Sequence, residues 1–411
     1  MTVSTTTHVM NDADKKEAMT VFAVMLMYFL VPTQGVVLAA FQTISEAFPD
    51  VGFTAISYLA TIVALAQIPA ALFSGAVAGR KVRYRTICIW SLVLYVAAGV
   101  VPYFATNDTN FNMILLSRFL FGLGLGAFSP LTNALVTTIY RKNEQKRASM
   151  LGYGNTIFNI AAIAAQTGGG FLCLISWQTT FLFYLVGIIP LIAVVLFLKE
   201  PEAAVEESKE RVKIPMVAYL YLMIFTITLI ATYPVLMFVS MIMAQHNLGG
   251  AGLAGTLLSV FTVVGAVIAA LFGNIYKVLK NKILPIAILI NALAMFVVYY
   301  SSAISNLPLF VSAFVLVGFG LTGITIGTPM ILSTTVSASV YAAAMGLNAA
   351  FMNAGAFLSS PYTSLIVRVS GNEDPRFVLL ISGIIMVIFS AVMMVIVSRI
   401  KQTADLSAME H

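Results

Sequence analysis

One guanidinium, a scatter of amides and a shortage of carboxylates are what this sequence offers to chemistry inside its apolar stretches. Arg118 stands about seven residues, roughly 10 Å at the α-helical rise, inside the apolar run 111–139. A guanidinium that deep in hydrocarbon costs at least about 2.5 kcal/mol, so Arg118 is expected to face a cavity or a partner, with snorkelling outward to headgroups as the alternative. The 16 acidic residues fall outside the predicted spans, as do His8, His246 and His411. A buried group able to alternate between protonation states is therefore missing from its usual place. Glu46 and Asp50, at the outer end between the first two spans, are the acids nearest a pathway mouth. They are candidates for handling protons, and exposed loop carboxylates are the alternative reading. Cys88 and Cys173 lie singly in apolar runs, which indicates neither a disulfide framework nor a thiolate metal site. Gly122, Gly124 and Gly126 mimic a nucleotide fingerprint but sit in an apolar helix rather than a strand-turn-helix unit. The sequence thus implies no metal, no cofactor and no enzyme, and it carries no charge ring or filter motif of a channel.

The elements that must hold these residues are membrane helices. The 411 residues are 60% hydrophobic and 9% charged, with a mean hydropathy of +0.97. Soluble domains carry about 25% charged residues, so the bilayer must be the solvent here. At about 20 to 25 residues per span the length accommodates about twelve helices and no large soluble domain. That disfavours a receptor with an ectodomain and a pump with its own nucleotide domain. Hydropathy places the spans near 19–43, 53–79, 86–105, 111–139, 148–172, 178–198, 215–244, 252–276, 283–303, 307–335, 338–367 and 376–398.

A pI of about 9.2 would suggest nucleic acid in a soluble protein, but here the placement of the basic residues carries the information, and no nucleic acid partner is implied. Of the 22 Lys and Arg residues, only Arg368 and Arg376 fall on one side and Arg118 within a span; all others share the opposite side. Both termini are therefore expected to be cytoplasmic, in a multi-pass protein of the cytoplasmic membrane. The charged connection 199–214 follows six spans. It divides the chain into a tail 1–18, a first bundle 19–198, that linker, a second bundle 215–399 and a tail 400–411. The halves resemble each other: Gly152 and Asn159 match Gly346 and Asn353, Pro130 matches Pro329, and Gly75 matches Gly273. The expected fold is all-α, twelve transmembrane helices in two pseudo-symmetric six-helix bundles, a plan that places a binding site near the midplane between the halves.

Three motifs resemble the major facilitator superfamily. Gly75-Ala-Val-Ala-Gly79-Arg80-Lys81-Val82-Arg83-Tyr84-Arg85 is similar to its loop between helices two and three, although Gly79 stands where that family usually has Asp. The resemblance makes Gly75, Arg80, Arg83 and Arg85 gating candidates, and simple positive-inside anchoring explains the same charges. Arg118-Phe-Leu-Phe-Gly122-Leu-Gly124-Leu-Gly126 resembles the family's glycine-rich fourth helix, seen especially in drug and proton antiporters. Gln166-Thr-Gly168-Gly169-Gly170-Phe171 with Trp177 looks like a glycine-rich turn ending helix five, followed by an interfacial tryptophan.

In that family spans one, four, seven and ten line the central cavity, helped by two, five, eight and eleven. The resemblance then implies a lining of Tyr28, Gln34 and Gln42; Arg118 and Asn133; Asn155 and Asn159; Thr232, Tyr233 and Met237; Thr325 and Thr328; Asn348 and Asn353. Each could instead serve a helix-helix hydrogen bond worth about 0.6 kcal/mol. Twenty methionines and an 11% aromatic content provide soft surfaces that repack around varied ligands. The expected function is a secondary transporter working by alternating access, exporting amphipathic compounds. The alternatives are uptake, exchange or uniport of a small organic anion with Arg118 as counter-ion, or a non-transporting sensor or scaffold. Expected partners are a small-molecule substrate, the bilayer and protons as a candidate coupling ion, with the chain acting as a monomer.

Overall fold

The structure is a computed structural model and describes residues 12–106, 109–200, 214–336 and 338–409. Most of the predicted linker and the outermost tails lie outside the described residues. In chain order the spans are α1 (Lys16–Ala47), α2 (Phe53–Val77), α3 (Tyr84–Phe104), α4 (Phe111–Ile139), α5 (Glu144–Cys173), α6 (Gln178–Phe197), α7 (Met216–Gln245), α8 (Ala251–Leu279) and α9 (Ile283–Ala303). They continue as α10 (Leu307–Thr335), α11 (Ala338–Ser370) and α12 (Pro375–Met409). Among the described residues 11 helices are long and apolar enough to cross a membrane. The twelfth, α11, has the length but carries Asn348, Asn353, Ser359, Ser360 and Thr363, polar groups that membrane helices keep for contacts with partners and cavities.

Two spans are not uniformly α-helical. The middle of α1, Val31–Ala40, tightens to a 3₁₀ helix, as does the start of α6, Gln178–Gly187. In α1 the change begins at Val31, just before Pro32, which lacks an N–H to donate. The first span also runs further than the hydropathy predicts, so Glu46 falls in the helical segment Phe41–Ala47 rather than in a loop. The Gly168–Gly170 run, expected as a turn, is continuous helix within α5. Its glycines serve close packing: a Cβ on Gly169 would overlap the Val36 carbonyl, and one on Gly170 would lie 2.8 Å from Ala251 O. Trp177, at the junction of α5 and α6, packs inside the protein against Phe48 and Phe181, with ring centroids 5.6 and 6.2 Å away.

The two bundles repeat the same contacts half a chain apart. Asn110 caps α4 by accepting from Asn112 N, and Asn306 caps α10 by accepting from Leu309 N. Gly122 lets α4 close on α2, where an added Cβ would sit 2.6 Å from Val63 O; Gly318 does the same for α10 and α8, 2.8 Å from Phe261 O. Gly124 and Gly320 likewise face the backbones of α3 and α9. At the next position the roles are exchanged. Gly126 admits the Gln67 backbone of α2, whereas Thr322 of α10 sits over Gly265 of α8. The repeat of contacts is therefore close but not identical, with the large and small partners of this one contact exchanged between the halves.

Between the bundles, hydroxyl groups close one end of the molecule. Ser57 donates to Ser360 across 2.6 Å, and Thr61 lies 2.8 Å from the same hydroxyl, joining α2 to α11. On the opposite side of the seam Thr167 and Ser259 are 2.6 Å apart and Thr262 donates to Gln166 Oε1 at 2.8 Å, joining α5 to α8. Ser240 of α7 bridges Gln42 N and Leu38 O of α1, beside a Phe53–Phe238 edge contact of 5.2 Å. Every hydrogen bond between the bundles among the described residues falls in the half away from the basic loops. Toward the basic loops, Gly152 of α5 and Gly346 of α11 have nothing within 4 Å of an added Cβ.

Candidate functional site

Arg118 is fully buried, and its guanidinium meets protein acceptors from three other spans. Its Nε donates to Leu59 O of α2 at 3.0 Å, Nη1 to the Tyr184 hydroxyl of α6 at 2.9 Å, and Nη2 to Gln34 O of α1 at 3.5 Å. The Phe121 ring lies 4.6 Å beneath it, a cation–π arrangement that desolvation strengthens. Behind Phe121 and Tyr184 stands Tyr95 of α3, whose hydroxyl lies 2.5 Å from Thr33. The 3₁₀ turn of α1 is what brings Thr33 and Gln34 to this point. Arg118 therefore ties α1, α2, α4 and α6 together with no carboxylate involved.

The second bundle has an uncharged counterpart. Asn291 of α9 stands half a chain from Tyr95 and donates to Thr232 of α7 at 2.6 Å, as Tyr95 meets Thr33 of α1. Thr232 in turn donates to Thr228 O, so this residue of the expected lining is committed to helix packing.

The remaining lining residues form two groups. In the first bundle the Tyr28 hydroxyl donates to Asn133 Oδ1 at 2.6 Å, and the Tyr28 ring packs over Gly154 of α5, next to Asn155. Asn159 donates to Asn155 O at 3.0 Å, and Asn133 and Asn155 are exposed. Tyr28, Asn133, Asn155 and Asn159 thus make one polar surface on the basic-loop side of the seam. In the second bundle Met237 is buried with its sulfur 4.0 Å from the Ser359 hydroxyl. Tyr233, Thr325 and Asn353 are half-buried; the Thr325 hydroxyl returns to Thr322 O, and the Thr328 hydroxyl to Ile324 O. Asn348 is buried, and its Oδ1 has no hydrogen-bond partner among the described residues.

Two glutamines outside the expected lining, Gln67 and Gln166, connect these parts. Gln67 Nε2 donates to Gln34 Oε1 at 2.7 Å, and Gln166 lies against Gly35 while accepting from Thr262 of the other bundle. Gln67 and Gln166 lie inside apolar spans just as Gln34 does, so the same criterion, applied to spans two and five, would have found them. The sealing hydroxyls Ser57, Ser240, Ser259 and Ser360 had no such signal, because serine is ordinary in membrane helices.

At the basic end Gly79 adopts φ +69° with its Cα against the Tyr84 ring. A side chain there would be strained, which explains glycine at this position. Gly75 faces open space, and Arg80, Arg83 and Arg85 are exposed. Arg85 donates to Val195 O, and Glu200 accepts from Tyr84 N at 2.7 Å and Arg85 N at 3.3 Å. The carboxylate that answers the basic loop is thus Glu200, at the N-terminus of α3, a favourable place for negative charge. At the other end Glu46 is exposed and accepts from Gln42 at 2.8 Å, and Asp50 is exposed in the loop that follows. There too, Asp374 caps α12. Partial burial pushes its carboxyl up, but hydrogen bonds from the Arg376 side chain and backbone outweigh this and hold it below the usual range. Burial, and then Arg376, hold the nearby His246 below its ordinary value, with Asp374 opposing.

Twelve helices in two matching bundles, meeting along an amide-rich and uncharged seam, define a membrane transporter. Residues 18–360 match the sequence profile of the Major Facilitator Superfamily, and the chain belongs to that family. It is a transporter rather than an enzyme. One similar protein is the quinolone resistance protein NorA of Staphylococcus aureus, 25% identical over 167 residues. That match covers 40% of this chain and 42% of NorA, so less than half of the relative's length is spanned. Among solved structures, a mutant of the nucleoside transporter NupG superposes with a TM-score of 0.77 at 12% identity, covering 92% of this chain and 99% of that one. A peptide transporter POT bound to sulfate gives 0.75 at 13% identity, over 94% and 95%. A D-xylose–proton symporter gives 0.68 at 14%, over 91% and 97%. Likenesses at these identities concern the fold alone.

Proposed function

We propose that this protein exports small amphipathic compounds lacking a net negative charge, by alternating access, across a cytoplasmic membrane in which the basic loops face the cytoplasm. In this reading the bundles are parted toward the cytoplasm and sealed outside by the serine and threonine contacts. The observation that carries it is the commitment of Arg118. With its donors on Leu59, Tyr184 and Gln34, the one intramembrane cation is occupied. What the seam offers a ligand is amide and hydroxyl groups and aromatic rings, with the exposed Asn133 and Asn155 on the basic-loop side. The partial likeness to a quinolone resistance protein supports a drug-like substrate. An organic-anion reading would require the guanidinium to leave three acceptors buried behind it.

The test is transport in proteoliposomes with an imposed pH gradient. Lipophilic cationic dyes and neutral amphiphiles should move and small carboxylates should not. Carboxylate flux that disappears in R118Q would overturn this reading in favour of an anion carrier.

A further inference from the structure

We propose that a basic cleft where α1, α4 and α6 end binds the phosphate of an anionic phospholipid in the leaflet on the basic-loop side. The cleft has a volume of about 330 Å³. It is lined by Lys16 on α1, Arg141 and Lys142 just past α4, and Lys199 just past α6. Two carboxylates also border it. Glu200 is committed to the N-terminus of α3, where two backbone N–H groups bind it. Glu17 stands beside Tyr140, whose phenol is pushed up to about 12 by burial and by that carboxylate. Among the described lining residues Lys16, Lys142 and Lys199 outnumber the two carboxylates, in a concave site at headgroup depth, the arrangement that attracts anionic lipid.

Two features favour a lipid over a free anion. The Thr20 hydroxyl lies 2.9 Å from Lys16 O and 3.0 Å from Phe197 O, which fixes α1 to α6 at the floor of the cleft. Beside that floor, Met19 and Phe22 on α1 and Ile192 and Leu196 on α6 are exposed at 48%, 56%, 53% and 65%, apolar surface on which acyl chains can lie. The cleft belongs to one bundle alone, so it persists while the bundles move against each other. This proposal is independent of what the transporter carries.

The experiment uses the full chain in neutral detergent and follows its unfolding midpoint during titration with phosphatidylglycerol, phosphatidylcholine or inorganic phosphate. Phosphatidylglycerol should raise the midpoint of the native protein at least twice as much as phosphatidylcholine, and inorganic phosphate at equal concentration should leave it unchanged. The K16Q/K142Q/K199Q variant should lose more than half of that shift, while K277Q/K280Q, in the other bundle, should keep it. An equal shift in the first variant, or an equal shift from phosphatidylcholine, overturns the proposal. A shift reproduced by inorganic phosphate overturns the lipid assignment. Single K142Q and K199Q variants, read by native mass spectrometry for retained phosphatidylglycerol, carry the same test if the triple variant does not fold; retention equal to that of the native protein counts against the cleft.

Discussion

A buried arginine with no carboxylate partner is tolerated here because carbonyl dipoles, a phenol and a ring face divide its charge among four spans. Removing it takes a second hydrogen bond from the Leu59 and Gln34 carbonyls, which keep their helical donors, and takes from the Tyr184 hydroxyl the donor it faces. Hydrogen bonds from a charged group are each worth about 1.5 to 3 kcal/mol, and alanine also leaves a cavity where the side chain lay, so R118A should destabilise the protein by several kcal/mol, well beyond an ordinary substitution. The measurement is the unfolding midpoint of purified R118A against R118K. Lysine retains the charge but not the forked geometry and should fall between alanine and arginine. An R118A protein as stable as the native one, yet unable to transport, would return Arg118 to the substrate site. The sequence alone revealed that Arg118 needed a partner, since the penalty follows from depth. It could not reveal which, because two of the acceptors are backbone carbonyls and the third, Tyr184, lies in a different span.

Helix contacts made by glycine decide how closely the elements approach. Gly255 of α8 packs on the Gln166 carbonyl and Gly170 of α5, at the side of the seam where Ser259 and Thr262 form their bonds. A G255V substitution places methyl groups against that carbonyl and should wedge α5 from α8. The expected result is entry of an impermeant thiol reagent to a cysteine at Ser259, which the native packing shields, with the fold preserved by circular dichroism. Unchanged protection would mean that the seal does not depend on this approach. Helices of this kind are easily read from sequence, because twenty apolar residues in a row have few other fates in a bilayer. The 3₁₀ stretch of α1 and the helical Gly168–Gly170 run are not. Both are settled by what packs against them: Gln166 beside Gly35, the Val36 carbonyl under Gly169, Ala251 O beside Gly170. Hydropathy carries no record of a neighbour from another span.

For the molecule as a whole, the pairs Ser57–Ser360 and Thr167–Ser259 hold α2 to α11 and α5 to α8, so that related hydroxyl contacts close both sides of one end. Neutral hydroxyls suit a seam that must part repeatedly. Each such bond adds about 1 kcal/mol or less to membrane helix association, weak enough to exchange for contacts at the other end. If transport requires this end to open, fixing it shut must stop the cycle. The Ser57 and Ser360 hydroxyl oxygens are 2.6 Å apart, close enough for cysteines there to meet in a disulfide after small side-chain rotations. Cys88 and Cys173 are free and buried and are best replaced by alanine in the test protein. Oxidation of S57C/S360C should then abolish transport in proteoliposomes, and a reductant should restore it. A cysteine at Gly152, in the open half, should stay accessible from the basic-loop side throughout the oxidised state. Full transport by a quantitatively cross-linked protein would mean that the serine seam is a permanent joint, and that the path for substrate runs elsewhere in the molecule.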